Sequence, residues 1–137
     1  MISGSTSEFI FIQIAAGLPA LACAISRLMC STMRFFRLTG DTNPLHIDPE
    51  RAKVAGFPRP ILHGMAGFGV AAHAILRMLA DYQPEKLASI EARFAKPIFP
   101  GETVRTEMWQ NGLEVAFRCR TIERGEVAID NGLARLR

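Results

Sequence analysis

Paired cysteines are missing from this chain. Cys23, Cys30 and Cys119 are odd in number and none stands in a C-x-x-C spacing, which argues against a disulfide framework and a cysteine zinc site and points to a reducing compartment. Blocks of like charge are also missing. The net charge of +3 comes from 13 arginines and 3 lysines against 13 acidic residues, scattered along the sequence, so no basic stripe for nucleic acid is present. A modest positive balance of this kind suits a phosphate-bearing partner with little specificity. No apolar run is both long and unbroken. Phe9 to Ile25 is apolar apart from Gln13, but Gly17 and Pro19 interrupt it, only Glu8 precedes it as a charge, and its 17 residues are short for a membrane span. Neither export nor anchoring is expected, and a cytoplasmic location follows. The last absence is internal. Between Gly64 and Ala80 there is no carboxylate and Arg77 is the only charge, so a helix there is expected to be buried on most sides.

What is present fits one domain, since 137 residues can bury a core but not two independent ones. Phe9 to Ile14 reads as a short buried strand ended by Gly17-Leu18-Pro19. From Ala20 to about Leu38 apolar residues recur at three and four, predicting a helix that Gly40 stops. Asp48 followed by Pro49 reads as an N-cap and first helical residue of a short helix ending at Gly56. The uncharged helix is expected over Leu62 to Asp81, its Gly and Ala residues allowing a sheet to approach closely. After Pro84 the period becomes two. Ile90, Ala92 and Phe94 form one alternating set, followed by Val104, Thr106 and Met108, then Leu113, Val115, Phe117 and Cys119, then Val127, Ile129 and Leu133. Asn111-Gly112 and Arg124-Gly125 are hairpin signals. An antiparallel meander with one polar face follows, covered on its other face by the uncharged helix.

The chemistry concentrates in residues 36–64. Asp41, Asn43 and His46 fall within six residues, and Pro44 fixes its own φ and restricts Asn43, so the loop is preorganised. A carboxylate and an imidazole so placed can take a proton from a water and deliver another. His63 and Gly64 form a second cluster at the helix start. The Gly64 amide there is suited to a carbonyl oxygen that gains negative charge, and the missing side chain lets an acyl group approach. Each piece also has a plain structural reading. Asp41 can cap a turn, Asn43-Pro44 can be a turn signal, His46 can be a satisfied core histidine, and His63 can merely orient the loop. His73 and Arg77 receive no role.

The run FRLTGDTNPLHIDPERA, resumed in Gly56-Phe57 and Pro60-Ile61-Leu62-His63-Gly64 and again around Arg93-Phe94, Pro97 and Pro100-Gly101-Glu102, resembles the signature of the MaoC-like (R)-specific enoyl-CoA hydratases. That resemblance implies an α+β hot-dog fold, a single antiparallel sheet wrapped around a long central helix, over residues 34–137. Residues 1–33 match nothing in the family pattern and stand as an atypical N-terminal segment. It further implies hydration of trans-2-enoyl-CoA to (R)-3-hydroxyacyl-CoA, with Asp41 and His46 as the catalytic pair and Asn43 placing the water or the imidazole. Gly64 would bind the thioester carbonyl with His63 beside it, with no metal and no redox cofactor. The substrate would be a coenzyme A or acyl carrier protein thioester and the assembly a homodimer, with arginines such as Arg93, Arg105 and Arg118 as candidates for the coenzyme A phosphates. Two rivals remain: a hot-dog thioesterase, which would want an acidic residue on the central helix, and a non-catalytic thioester-binding partner subunit.

Overall fold

The computed structural model describes residues 9–10 and 40–137. The elements run β1 (Phe9–Ile10), a 3-10 turn (Pro44–His46), α1 (Pro49–Val54), α2 (Gly64–Leu79), a second 3-10 turn (Pro84–Lys86), β2 (Leu87–Phe94), β3 (Val104–Asn111), β4 (Glu114–Thr121) and β5 (Val127–Leu136). The strand expected over residues 9–14 is present at Phe9–Ile10, its remainder lying outside the described residues. The helix expected from Ala20 to Leu38 lies outside them too.

The strands form one antiparallel sheet in the order β1-β3-β4-β5-β2. The three-strand meander β3-β4-β5 matches the period-two reading, but β2 pairs with β5 and not with its successor β3. Pro97, Pro100 and Gly101, with Gly101 at φ +91°, divert the chain between them so that residues 95–103 must cross to the far side of the meander. The first hairpin turns on Gly112-Leu113, one residue later than Asn111-Gly112 suggests, because Asn111 pairs with Glu114. Gly112 at φ +59° takes the first central position, the place a two-residue hairpin reserves for glycine. Leu113, expected inward, is therefore exposed at the turn.

α1 forms as expected. Asp48 accepts from the amides of Glu50 and Arg51, Pro49 opens the helix, and Gly56 lies beyond its end at φ +88°. α2 is shorter than expected and is not buried on most sides. A stripe of Gly67, Ala71, Ala74 and Ile75 is buried, whereas Met65 and Met78 are 60% and 42% exposed. Small side chains let that stripe lie close to the sheet, with Ile75 against a core containing Met108, Val115, Phe117, Cys119, Ile129 and Ala134. Burial pushes the Cys119 thiol up to about 11, making it an unreactive core residue at neutral pH. A smaller cluster of Leu62, Ile98 and Ala128 adjoins it.

Alternation fails in two instructive places. Leu133 is only partly buried, while Gly132 and Ala134 are buried. The cause is a bulge in β5: Phe117 pairs with Gly132 and Cys119 with Ile129, and on the other side Glu91 pairs with Leu133 and Arg93 with Asp130. One extra residue at Asp130-Asn131, with Asn131 at φ +49°, reverses the facing of everything after it. Gly132 is required beyond the bulge, since a Cβ there would lie 2.6 Å from the Phe117 carbonyl oxygen. Phe94, at the end of β2, is 53% exposed and stands against the start of α2.

Candidate active site

The loop before α2 is built from side chains that bond to amides two residues on. Gly40, at φ +86°, turns the chain into it. Asp41 Oδ1 accepts from the Asn43 amide at 2.8 Å, and Asn43 Oδ1 accepts from the Leu45 amide at 3.1 Å, capping the 3-10 turn that Pro44 opens. These are Asx turns, which the residue types favour. The turn carries His46 inward until it is 7% exposed. Its ring is then fixed from the other side, because Nδ1 lies 3.0 Å from the Ile61 carbonyl and the Ile61 amide donates to the Leu45 carbonyl. A carbonyl can only accept, so Nδ1 carries a proton and Nε2 is the ring nitrogen turned toward Asp41.

The second oxygen of Asp41, Oδ2, lies 3.0 Å from Nε2 of His63 and 3.7 Å from Nε2 of His46. The two rings meet edge to face, 5.1 Å apart at 88°. The Asn43 amide above all holds the Asp41 carboxyl below its ordinary value; burial opposes it, and the His46 and His63 imidazoles add smaller lowering effects. Asp41 is therefore a carboxylate at neutral pH. His63 is the residue before α2, and the next amide, that of Gly64, begins the helix. It belongs to the first turn of amides that no carbonyl within the helix can satisfy.

His46, His63 and Gly64 share one wall of a cavity of about 110 Å³ whose other walls are mainly apolar: Ile61, Leu62, Phe94, Ile98 and Ile129. Asp41 is not itself among the lining residues but reaches the Nε2 atoms of both imidazoles through Oδ2. Asn43 is exposed, with its carbonyl engaged in the turn, so what it does here is shape the loop. The structure thus brings Asp41, His46, His63 and Gly64 together and leaves Asn43 at their edge. Of the arginines considered for phosphates, Arg93 lies 3.6 Å from Asp130, Arg118 is bonded to Glu107 and stacked over Trp109, and the Nε of Arg105 is buried.

Several contributors were not legible in sequence. The Phe94 ring covers Gly64, so that a Cβ there would meet it at 3.5 Å. Lys96, an exposed residue, also lines the cavity. A clasp holds the Ile98 wall. Glu102, 6% exposed, is bonded to the Arg124 guanidinium and accepts from the Phe99 amide at 2.8 Å. Arg124 also donates to the Pro97 carbonyl and Arg59 to the Pro100 carbonyl. The Phe99 ring lies between these two guanidinium groups, at 4.9 Å from Arg59 and 4.8 Å from Arg124. The Leu62 amide then donates to the Ile98 carbonyl at 2.7 Å, tying the clasp to the segment that leads into α2. Burial disfavours the Glu102 charge, but Arg124 and the Phe99 amide outweigh it and lower the carboxyl's pKa.

Compared with known proteins, residues 21–131 match the model of the MaoC like domain. Peroxisomal multifunctional enzyme type 2 of Mus musculus is 49% identical over 96 residues, which cover 70% of this chain and 13% of the mouse protein. Enoyl-CoA hydratase 2, peroxisomal, of Arabidopsis thaliana is 40% identical over 124 residues, covering 90% of this chain and 40% of that protein. Among solved structures, a MaoC-like dehydratase from Phytophthora capsici superposes with a TM-score of 0.73 at 43% identity, over 77% of this chain and 36% of that one. The (R)-hydratase from A. caviae involved in PHA biosynthesis superposes with a TM-score of 0.64 at 26% identity, over 80% of this chain and 87% of that one. The chain spans less than half the length of these two curated relatives. Among the described residues, no helix is long and apolar enough to cross a membrane.

Proposed function

This chain belongs to the MaoC-like domain family, and on that premise we propose that it is a hydro-lyase adding water to trans-2-enoyl-CoA to give (R)-3-hydroxyacyl-CoA. The relatives named enoyl-CoA hydratase and the superposed (R)-hydratase support that reading. The observation that carries it is that Gly64, the first residue of α2, and His46 line the same cavity, with Asp41 Oδ2 3.7 Å from His46 Nε2.

The chemistry follows from those groups. The thioester carbonyl lies toward Gly64, whose amide donates to its oxygen as the C2=C3 electrons move onto it. Water held between Asp41 Oδ2 and His46 Nε2 adds through oxygen to C3, losing one proton to the pair. The pair returns a proton to C2, so that one O–H bond and the C2=C3 π bond break, one C–O and one C–H bond form, and the enzyme ends in its starting state. Ionised Asp41 and the Nδ1-protonated His46 ring are both acceptors at the outset. Asn43 positions the loop that carries them, and His63 holds Asp41 in place. The apolar walls receive the acyl group, and Lys96 is suited to the phosphates of coenzyme A or of an acyl carrier protein's prosthetic arm.

Residues 34–137 form the catalytic domain in this reading, with residues 1–33 as an atypical N-terminal segment whose Phe9–Ile10 strand joins the same sheet. The assembly is a homodimer, in keeping with an open sheet whose edges pairing would cover. Light scattering under assay conditions tests this, and an active monomer would refute it. An odd number of cysteines without C-x-x-C spacing favours a reducing compartment, and the cytoplasm is proposed against the peroxisome that the relatives' names carry. Imaging of the tagged protein separates the two.

The assay that tests the reaction follows loss of the conjugated thioester's absorbance with short, medium and long trans-2-enoyl-CoA, and the chirality of the product. Release of free thiol instead would identify a thioesterase. Binding without turnover, relieved by an added partner subunit, would identify a thioester-binding subunit.

A further inference from the structure

The geometry points to a second use of the same side chains: Asp41, His46 and His63 together form a reversible site for a borderline divalent cation, Zn²⁺ or Co²⁺, whose occupancy excludes the water. Two imidazoles and one carboxylate are a donor set such ions accept, and three protein ligands leave a fourth position open. The three donor atoms lie within 4.8 Å of one another. Ligands on a tetrahedral ion at 2.0–2.1 Å stand roughly 3.4 Å apart, and the two distances from Asp41 Oδ2, 3.0 Å to His63 and 3.7 Å to His46, bracket that value.

The supports of the ligands point the same way. His46 donates from Nδ1 to the Ile61 carbonyl, the outer contact that fixes a metal-binding imidazole with Nε2 toward the ion. Asp41 Oδ1 is occupied by the Asn43 amide, which leaves Oδ2 as the coordinating oxygen. Both histidines line the cavity, so a fourth ligand enters from there. For the ion to bind, the proton shared between His63 Nε2 and Asp41 moves to His63 Nδ1 or to solvent, which opens Nε2 to the metal. The positive end of α2 opposes a cation at this place. That opposition makes the site one for exchangeable occupancy and not for a resident ion.

Cobalt(II) titrated into chelator-treated, untagged full-length protein provides the test. One equivalent is expected to raise the visible absorption of a four-coordinate nitrogen and oxygen site, and Zn²⁺ is expected to abolish it by displacement. His63→Gln and Asp41→Asn are each expected to weaken binding by on the order of a hundredfold, at least what loss of a supporting contact costs. His73→Gln, on the outer side of α2 beside Tyr82, should leave it unchanged. Folded wild-type protein that shows no such absorption, or variants of His63 and Asp41 that bind as wild type, would overturn the site. Loss of hydration on adding Zn²⁺, restored by chelator and competitive with enoyl-CoA, is the second readout, and this arm alone rests on the proposed hydration. Cobalt binding in a protein without hydration activity would keep the site and refute that function. Hydration without cobalt binding would do the reverse.

Discussion

Asp41 Oδ2 is closer to His63 than to His46, at 3.0 Å against 3.7 Å. Its anchoring bond therefore runs to the residue at the helix start, and the looser approach is to the imidazole at the cavity wall. The two oxygens of this carboxylate are not equivalent, since Oδ1 is committed to the Asn43 amide. A group fixed at one oxygen and oriented at the other presents a constant edge to His46.

Removing either member of the acid/base pair should leave the fold intact and abolish most turnover. Asp41→Asn and His46→Gln are each expected to lower kcat by on the order of a hundredfold or more. His63→Gln, which alters the contact that orients Asp41, should lower it by about tenfold. Steady-state rates of folded variants, checked by circular dichroism, decide this. Near wild-type rates in Asp41→Asn or His46→Gln would remove those residues from the mechanism.

Asp41 should also leave a mark on stability in acid. Its carboxyl is lowered from 3.8, chiefly by the Asn43 amide, so the folded state binds its proton less readily than the unfolded chain does. The stabilisation is present above about pH 3.8 and is lost as pH falls through the lower folded value. Urea unfolding as a function of pH should show a shallower acid decline in Asp41→Asn than in wild type, and parallel curves would contradict this.

Gly64 separates space from charge. The Phe94 ring stands 3.5 Å from where a Cβ would be, an ordinary contact, so Gly64→Ala should fold with little loss of stability. The larger Gly64→Val should press on Phe94 and displace the carbonyl from the amide. A fall in kcat of on the order of a hundredfold, comparable to losing one donor to the oxyanion, is expected. A variant that binds less tightly but turns over normally at saturation would exclude that role for the amide.

The Glu102 and Arg124 clasp should behave as a buried pair broken from one side. Glu102→Gln leaves the Arg124 guanidinium without its carboxylate and weakens the hold on the Phe99 amide. A loss of roughly 2–3 kcal/mol in chemical denaturation is expected, below the usual cost for a fully buried pair because Arg124 is partly solvated. KM should rise more than kcat falls, since the clasp holds the Ile98 wall and touches no reacting atom. An unchanged midpoint of unfolding would contradict this.

Much of this molecule was legible wherever a local rule acts alone. Asp48-Pro49 wrote the start of α1, and Asp41, Asn43 and Pro44 wrote the loop, because each needs only its nearest neighbours. Pairing across distance was not legible. Nothing in residues 87–94 says that the strand joins β5 and not β3; the bulge did have a local sign in Asn131-Gly132, an asparagine that tolerates positive φ and a glycine inside a strand, which the alternation reading passed over. Glu102 and Arg124 each stood in a sequence signal, but they are 22 residues apart and nothing in either signal pairs them. The outer face of α2 was misjudged for a related reason: an uncharged sequence signals that burial is permitted, and it does not say that a neighbour is there.

The bulge at Asp130-Asn131 makes β5 a strand with two allegiances. Ahead of it, Ala128 and Ile129 face opposite ways, the first into the cluster with Leu62 and Ile98 and the second into the main core. Past it, Ala134 returns to that core in a phase the first half could not have supplied. Removing one residue there would mend the ladder locally while turning the last third of the strand inside out. Insertions and deletions are therefore barred from this point, even though Asn131 itself is exposed and touches nothing in the cavity.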